Sequence, residues 1–158
     1  MSYLYNLHQL CIAKGVSVAV AESCTAGLIA SKLTTLSGSS SYFKGGIVAY
    51  QNEIKIKFLA VSQSIINEKT EVSPEVVIQM ANSVLEKFNS DFSIASSGYA
   101  GPTGGTNKNP IGTVFIAIAS KFDVAVSRFI FLGDRQSIAN QASESALSLL
   151  LTEIKKQW

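Results

Sequence analysis

The chain has 158 residues, close to the usual size of one domain, and 47% of them are hydrophobic, so one core within a single domain spanning 1–158 is expected. Only 15% are charged and the formal net charge is +2, which excludes the basic excess that neutralises a nucleic-acid backbone; neither DNA nor RNA is an expected partner. The two cysteines, Cys11 and Cys24, make no disulfide framework, and no Cys/His cluster has metal-ligand spacing. The first residues lack a basic region leading into an apolar signal core, and no apolar run is long enough to span a bilayer. A reduced, cytoplasmic setting without membrane contact is therefore expected.

Residues 3–14 carry Leu4, Leu7, Leu10 and Cys11 at helical spacing and stop at Gly15, which predicts an amphipathic helix with a glycine cap. A short buried strand follows over 16–21. The pattern over 26–36 is helical, and the serine-rich 37–41 reads as a loop. A second strand is predicted over 46–50 and a short helix over 52–59, while 60–72 give no clear pattern. Ser73-Pro74-Glu75 supplies an N-cap, a proline at the first helical position and an acid in the first turn, predicting a helix to about Phe88.

A strand over 92–96 leads into a loop with four glycines between Gly98 and Thr106, and then into a strand over 113–119. The tight turn 121–123 makes the last strand, 124–132, antiparallel to its predecessor. Asp134 then caps a long helix with Ile138, Ala142, Ala146, Leu149 and Leu150 on one face. Helices alternate with strands early and a hairpin closes the sheet late, which predicts an α/β fold: a three-layer α/β/α sandwich with a mixed sheet.

Polar small residues and glycines cluster where three strands end. In Ala21-Glu22-Ser23-Cys24-Thr25-Ala26-Gly27 a strand runs into a helix, placing Ser23 where free N–H groups favour a developing oxyanion. Ser23 or Thr25 can equally be a plain N-cap. Cys24 is a rival nucleophile, but it needs a base to become thiolate, and the one histidine, His8, reads as an ordinary helix-surface residue. With histidine scarce, a lysine of depressed pKa is the alternative base.

Lys44-Gly45-Gly46 through Lys55 supplies Tyr50 at a strand end and Lys55 in the next helix, a pair able to pass a proton; a strand-end aromatic and lysines 55 and 57 solvated on a helix face are the plainer reading, and Lys57 or Lys44 are alternative bases. The glycine loop, with Gly101, Gly104, Gly105 and Thr106, offers N–H groups to a phosphate, although it has neither P-loop nor dinucleotide spacing. Arg135, at the start of the last helix, can clamp a phosphate or carboxylate, or pair with Asp134 or Glu144.

Taken in order, Ala21-Glu22-Ser23-Cys24-Thr25-Ala26-Gly27-Leu28, Gly38-Ser39-Ser40, Gly45-Gly46-Ile47-Val48-Ala49-Tyr50, Asn52-Glu53-Ile54-Lys55, the run Gly98–Thr106, Pro110-Ile111-Gly112-Thr113-Val114 and Gly133-Asp134-Arg135 resemble the CinA C-terminal domain family over nearly the whole chain. The resemblance implies hydrolysis of the carboxamide of nicotinamide mononucleotide to nicotinic acid mononucleotide and ammonia. It implies catalysis by Ser23, Tyr50 and Lys55 with no metal or cofactor, and substrate contacts from Cys24, Thr25, Gly45, Gly46, Gly101, Gly104, Gly105, Thr106 and Arg135. A cytoplasmic homo-oligomer, with a dimer favoured, is the family expectation. Longer members carry an N-terminal domain resembling a molybdopterin-binding fold, which is not part of this sequence.

The sequence departs from the family pattern at Ala139, where an arginine is frequent, at Thr70-Glu71-Val72-Ser73, where Gly-Ala-Val-Ser is frequent, and at Ser97, where threonine is frequent. Ala139 bears on phosphate affinity, so an amidase for another small amide is the alternative enzyme. A nucleotide- or partner-binding module linked to competence or DNA damage is the alternative outside catalysis.

Overall fold

The computed structural model describes residues 2–157, and its element order follows from where apolar runs meet capping residues. Helix α1 (Ser2–Lys14) buries Leu4, Leu7 and Cys11 and ends at Gly15. Strand β1 (Val18–Glu22) is buried at every residue. Helix α2 (Leu28–Leu33) is shorter than expected at both ends, because Ala26 (φ 45°) and Gly27 (φ 96°) form a left-handed turn before it and Thr34 leaves helical geometry after it. A single 3₁₀ turn covers Ser39–Ser41 within the expected loop.

Strand β2 (Phe43–Val48) starts three residues earlier than predicted and stops two short of Tyr50. Its register decides this, since Phe43 pairs with Val18 and Val48 with Glu22, exhausting β1. Helix α3 (Asn52–Leu59) lies where expected. The unassigned stretch holds α4 (Gln63–Lys69), whose cap is the Ser62 side chain accepting the Ile65 N–H. In α5 (Pro74–Phe88) the Ser73 hydroxyl accepts the Val76 N–H, as the sequence signature predicts. Strands β3 (Phe92–Gly98), β4 (Thr113–Ser120) and β5 (Val124–Ile130) follow, and α6 (Arg135–Gln157) closes the chain. The Asp134 carboxylate accepts the Ser137 N–H at 2.8 Å to cap α6.

The five strands form one mixed sheet in the order β2-β1-β3-β4-β5. β1 is parallel to both its neighbours, and the β4–β5 hairpin is antiparallel. Alternation along the strands sorts the two faces. Val18, Val20, Phe92, Ile94, Val114, Ile116 and Ile118 pack under α1, α2 and α6. On the other face Ala19, Ala21, Ala95, Ala117 and Ala119 let α5 lie close to the sheet, where it buries Val76, Val77, Met80 and Val84. The three-layer sandwich is thus present. His8 is buried rather than a surface residue; its Nδ1 meets the Tyr42 hydroxyl at 2.9 Å inside the α1 layer.

Because β1 sends the chain to β2 on one side and has β3 on the other, the carboxyl ends of these parallel strands open a crevice at a topological switch point, the usual ligand position in such sheets. The close approach of β2 to β1 there requires Gly46, since a Cβ at that position would collide with the Val20 carbonyl. Gly46→Ala should lower unfolding stability by about 3 kcal/mol, the upper range for overpacking, as a urea titration would measure; a loss below about 0.5 kcal/mol would refute the close-approach account.

Candidate active site

Ser23 is the first residue past β1, and its position is fixed before its side chain does anything. Its N–H donates to the Ser96 carbonyl at 3.1 Å, and its carbonyl accepts the Ala26 N–H at 3.1 Å. Neither Ser23 nor Thr25 caps α2 through its side chain. Glu22, the last residue of β1 and fully buried, does so instead: its carboxylate accepts the N–H groups of Ile29 and Ala30 at 2.9 and 3.0 Å. It also accepts the Thr25 hydroxyl at 2.6 Å, and the Ser96 hydroxyl lies 2.7 Å from Thr25. The turn from Ser23 to Gly27 is therefore clamped from below by charge-assisted hydrogen bonds. The N–H groups of Cys24 and Thr25 donate to no protein acceptor among the described residues.

A cavity of about 400 Å³ opens over this turn. Ser23, Cys24, Tyr50, Lys55 and Arg135 line it, together with Gly98, Tyr99, Ala100, Gly101 and Thr103 of the glycine loop. A second cavity of about 410 Å³ adjoins it across Cys24, Tyr50 and Arg135, and adds Thr25, Gln136 and Ala139. Ser23 is 7% exposed, and its hydroxyl has no hydrogen-bond partner among the described residues.

Lys55 is only 1% exposed, an unusual place for an ammonium. Its Nζ donates to the Tyr50 main-chain carbonyl at 2.9 Å, so the Tyr50–Lys55 contact runs through the backbone and not through the phenol. Burial pushes the Lys55 pKa below the ordinary lysine range, opposed by the fields of Glu71 and Cys24. The Tyr50 side chain is 52% exposed at the cavity mouth, and its hydroxyl accepts an Arg135 N–H. Arg135 also donates to the Gly101 carbonyl at 2.6 Å, tying the glycine loop to the end of β2 in place of the surface pairing with Asp134 or Glu144. Burial pushes the Cys24 thiol up to about 12, which leaves little thiolate at neutral pH.

The structure does not bring every expected residue to the cavity. Gly45 and Gly46 lie within β2. Gly104 and Gly105 pack against Tyr99 and Ile111, and Thr106 borders a separate cavity of about 610 Å³ beside Lys108 and Arg128. Lys44 donates to the carbonyls of Phe88 and Asn89, and Lys57 is exposed beside Phe58. Conversely, Glu22, Ser96, Glu71 and Tyr99 were not singled out by sequence. The available signals were Glu22, an acid ending an otherwise apolar strand, and Glu71, within a run that departs from the family pattern. Among the described residues no three His, Cys, Asp or Glu side chains gather as a metal site would need.

The family model described as CinA C-terminal domain matches residues 2–154. A CinA-like protein of Desulfotalea psychrophila is 44% identical over 142 residues, covering 90% of this chain and 34% of its own length. One of Flavobacterium psychrophilum is 43% identical over 152 residues, covering 96% and 36%. The chain thus spans about a third of the length of the curated relatives it matches. Among solved structures, the competence damage-inducible protein A (ComA) of Klebsiella pneumoniae superposes with a TM-score of 0.95 at 29% identity, covering 99% and 98% of the two chains. A CinA superfamily protein of Escherichia coli gives 0.90 at 34% identity, covering 95% and 88%.

Removing the Glu22 carboxylate takes the acceptor from two N–H groups at the start of α2, one of them buried, and leaves the Thr25 hydroxyl with Ser96 alone. Glu22→Ala should cost about 3 kcal/mol of stability in chemical denaturation, and an unchanged midpoint would show that the clamp is not needed.

Proposed function

Because the chain belongs to the CinA C-terminal domain family, we propose that it is a serine amidohydrolase that converts nicotinamide mononucleotide and water to nicotinic acid mononucleotide and ammonia. The observation that carries this reading is the meeting of Ser23, Tyr50 and Lys55 on one cavity, with the lysine buried and its proton weakly held. A serine hydroxyl needs a base to become a nucleophile. The one histidine is engaged with Tyr42 in another layer, so the base is Lys55 in its neutral form.

In this scheme Ser23 Oγ attacks the carboxamide carbon while its proton passes to Lys55. The oxyanion forms beside the free N–H groups of Cys24 and Thr25, whose orientation Glu22 fixes. Lys55 returns the proton to the departing nitrogen, and ammonia leaves an ester on Ser23. Water then attacks that ester, giving its proton to Lys55, and the acid is released with Ser23 restored. The Tyr50 oxygen is occupied by Arg135 as acceptor, so its O–H is available to donate to the substrate. No step calls for a cofactor.

Arg135, at the junction of the two cavities, is the cation that would meet the 5′-phosphate. Ala139 in the second cavity favours a second reading, an amide without a phosphate, since no second arginine is supplied there.

Purified protein should release ammonia from nicotinamide mononucleotide, and Ser23→Ala and Lys55→Met should each lower kcat/KM by about 10³-fold or more. No release by folded wild type would turn the reading to another amide or to a binding module. The rate should rise with pH as Lys55 loses its proton, with its midpoint below the ordinary lysine value of 10.5. Glu71→Gln removes a carboxylate that raises that pKa, so it should move the rise to lower pH. Ala139→Arg should lower KM for the phosphorylated substrate by about tenfold and leave KM for the riboside unchanged; equal KM effects on both would refute a phosphate role for this cavity.

A further inference from the structure

The segment between α4 and α5 is restrained more than a connection between two helices requires. Thr70 has φ 69° and ψ 169°, a region that only glycine enters without strain, and a β-branched residue is held there. The hold is distributed over the neighbouring backbone. The Thr70 hydroxyl accepts the Val72 N–H at 3.3 Å, and the Ser73 hydroxyl donates to the Thr70 carbonyl at 3.1 Å. The Ser97 hydroxyl, from the end of β3, donates to the Glu71 carbonyl at 2.7 Å, and Asn109 Nδ2 donates to the Val72 carbonyl at 3.3 Å.

Glu71 is the residue this scaffold presents. It lines the Ser23 cavity and is half-buried, and its carboxylate has no hydrogen bond or ion pair among the described residues. Lys55 lies within its field but spends an N–H on the Tyr50 carbonyl. A partly desolvated carboxylate without a donor is unfavourable unless something brings positive charge to it. Glu71 lines the first cavity and not the second, whereas Arg135 lines both, so the combined site carries a carboxylate in the cavity of Ser23 and Lys55 and a guanidinium at the junction. Tyr99 adds an aromatic ring to the lining of the first cavity.

We propose that Glu71 is a specificity-determining residue whose carboxylate lies against a positively charged heteroaromatic ring, so that the site selects amides on cationic rings with an anionic tail over the same amides on neutral rings. This rests on the amidase reading and names the feature of the substrate that the first cavity recognises.

The test compares nicotinamide mononucleotide with its reduced dihydropyridine form, which keeps the amide and the phosphate and loses the ring charge. Calorimetric affinities are measured in the Ser23→Ala background with and without Glu71→Gln, and kcat/KM for both compounds in the Ser23 proteins. Glu71→Gln should weaken binding of the cationic form about tenfold, leave the neutral form within about twofold, and lower the kcat/KM ratio accordingly. The ratio cancels any change in Lys55 protonation, because both substrates meet the same base. Equal losses, or an unchanged ratio, would overturn the assignment. Ammonia release with an unchanged ratio would leave the amidase standing and remove Glu71 from recognition. Charge-selective binding without ammonia release would keep Glu71 and remove the amidase. Binding of neither form to folded protein would overturn both.

Discussion

The buried carboxylate of Glu22 sets the geometry on which the active-site turn depends. It ends β1 with a carboxylate at 0% exposure, a position tolerable only if donors surround it. They do: two N–H groups from the start of α2 and the Thr25 hydroxyl converge on it, and Ser96 of β3 backs Thr25. The same contacts satisfy backbone groups that a helix start leaves unpaired. Since Glu22 does the capping, Ser23 is released from that task, and the chain must turn through Ala26 and Gly27 in left-handed geometry before α2 can begin.

The layout of charge around Ser23 follows from sheet order. Three parallel strands end at one edge, so the turn after β1, the segment after β2 and the glycine loop after β3 are neighbours without being close in sequence. Arg135 comes from the far end of the chain and joins two of these segments, through the Tyr50 hydroxyl and the Gly101 carbonyl. Lys55 is buried beneath them and donates to a carbonyl, and burial lowers its pKa from the ordinary lysine value. Cys24 feels the same dryness with the opposite effect on its reactivity, because burial disfavours its charged form and keeps it a thiol.

By itself the sequence determined the type of every element but α4 and the 3₁₀ turn, the limits of several and the architecture. Apolar periodicity marked α1 and α6, the Ser73-Pro74 signature marked α5, and the turn 121–123 made β4 and β5 a hairpin, because these signals act over a few residues through caps and alternation. Motif order pointed to the family and to Ser23, Tyr50 and Lys55. Tertiary structure alone decided where β2 begins and ends, since strand limits depend on the pairing partner. It decided that Glu22 and not Ser23 or Thr25 caps α2, that His8 is buried, that Lys55 meets a carbonyl of Tyr50, and that Gly104 and Gly105 pack the loop while Gly101 lines the cavity. It also brought Glu71, from the stretch with no readable pattern, into the cavity beside Ser23. Each of these is a contact between residues distant along the chain, and its energy depends on burial and on the direction of a donor or acceptor, quantities that residue type and local spacing do not carry.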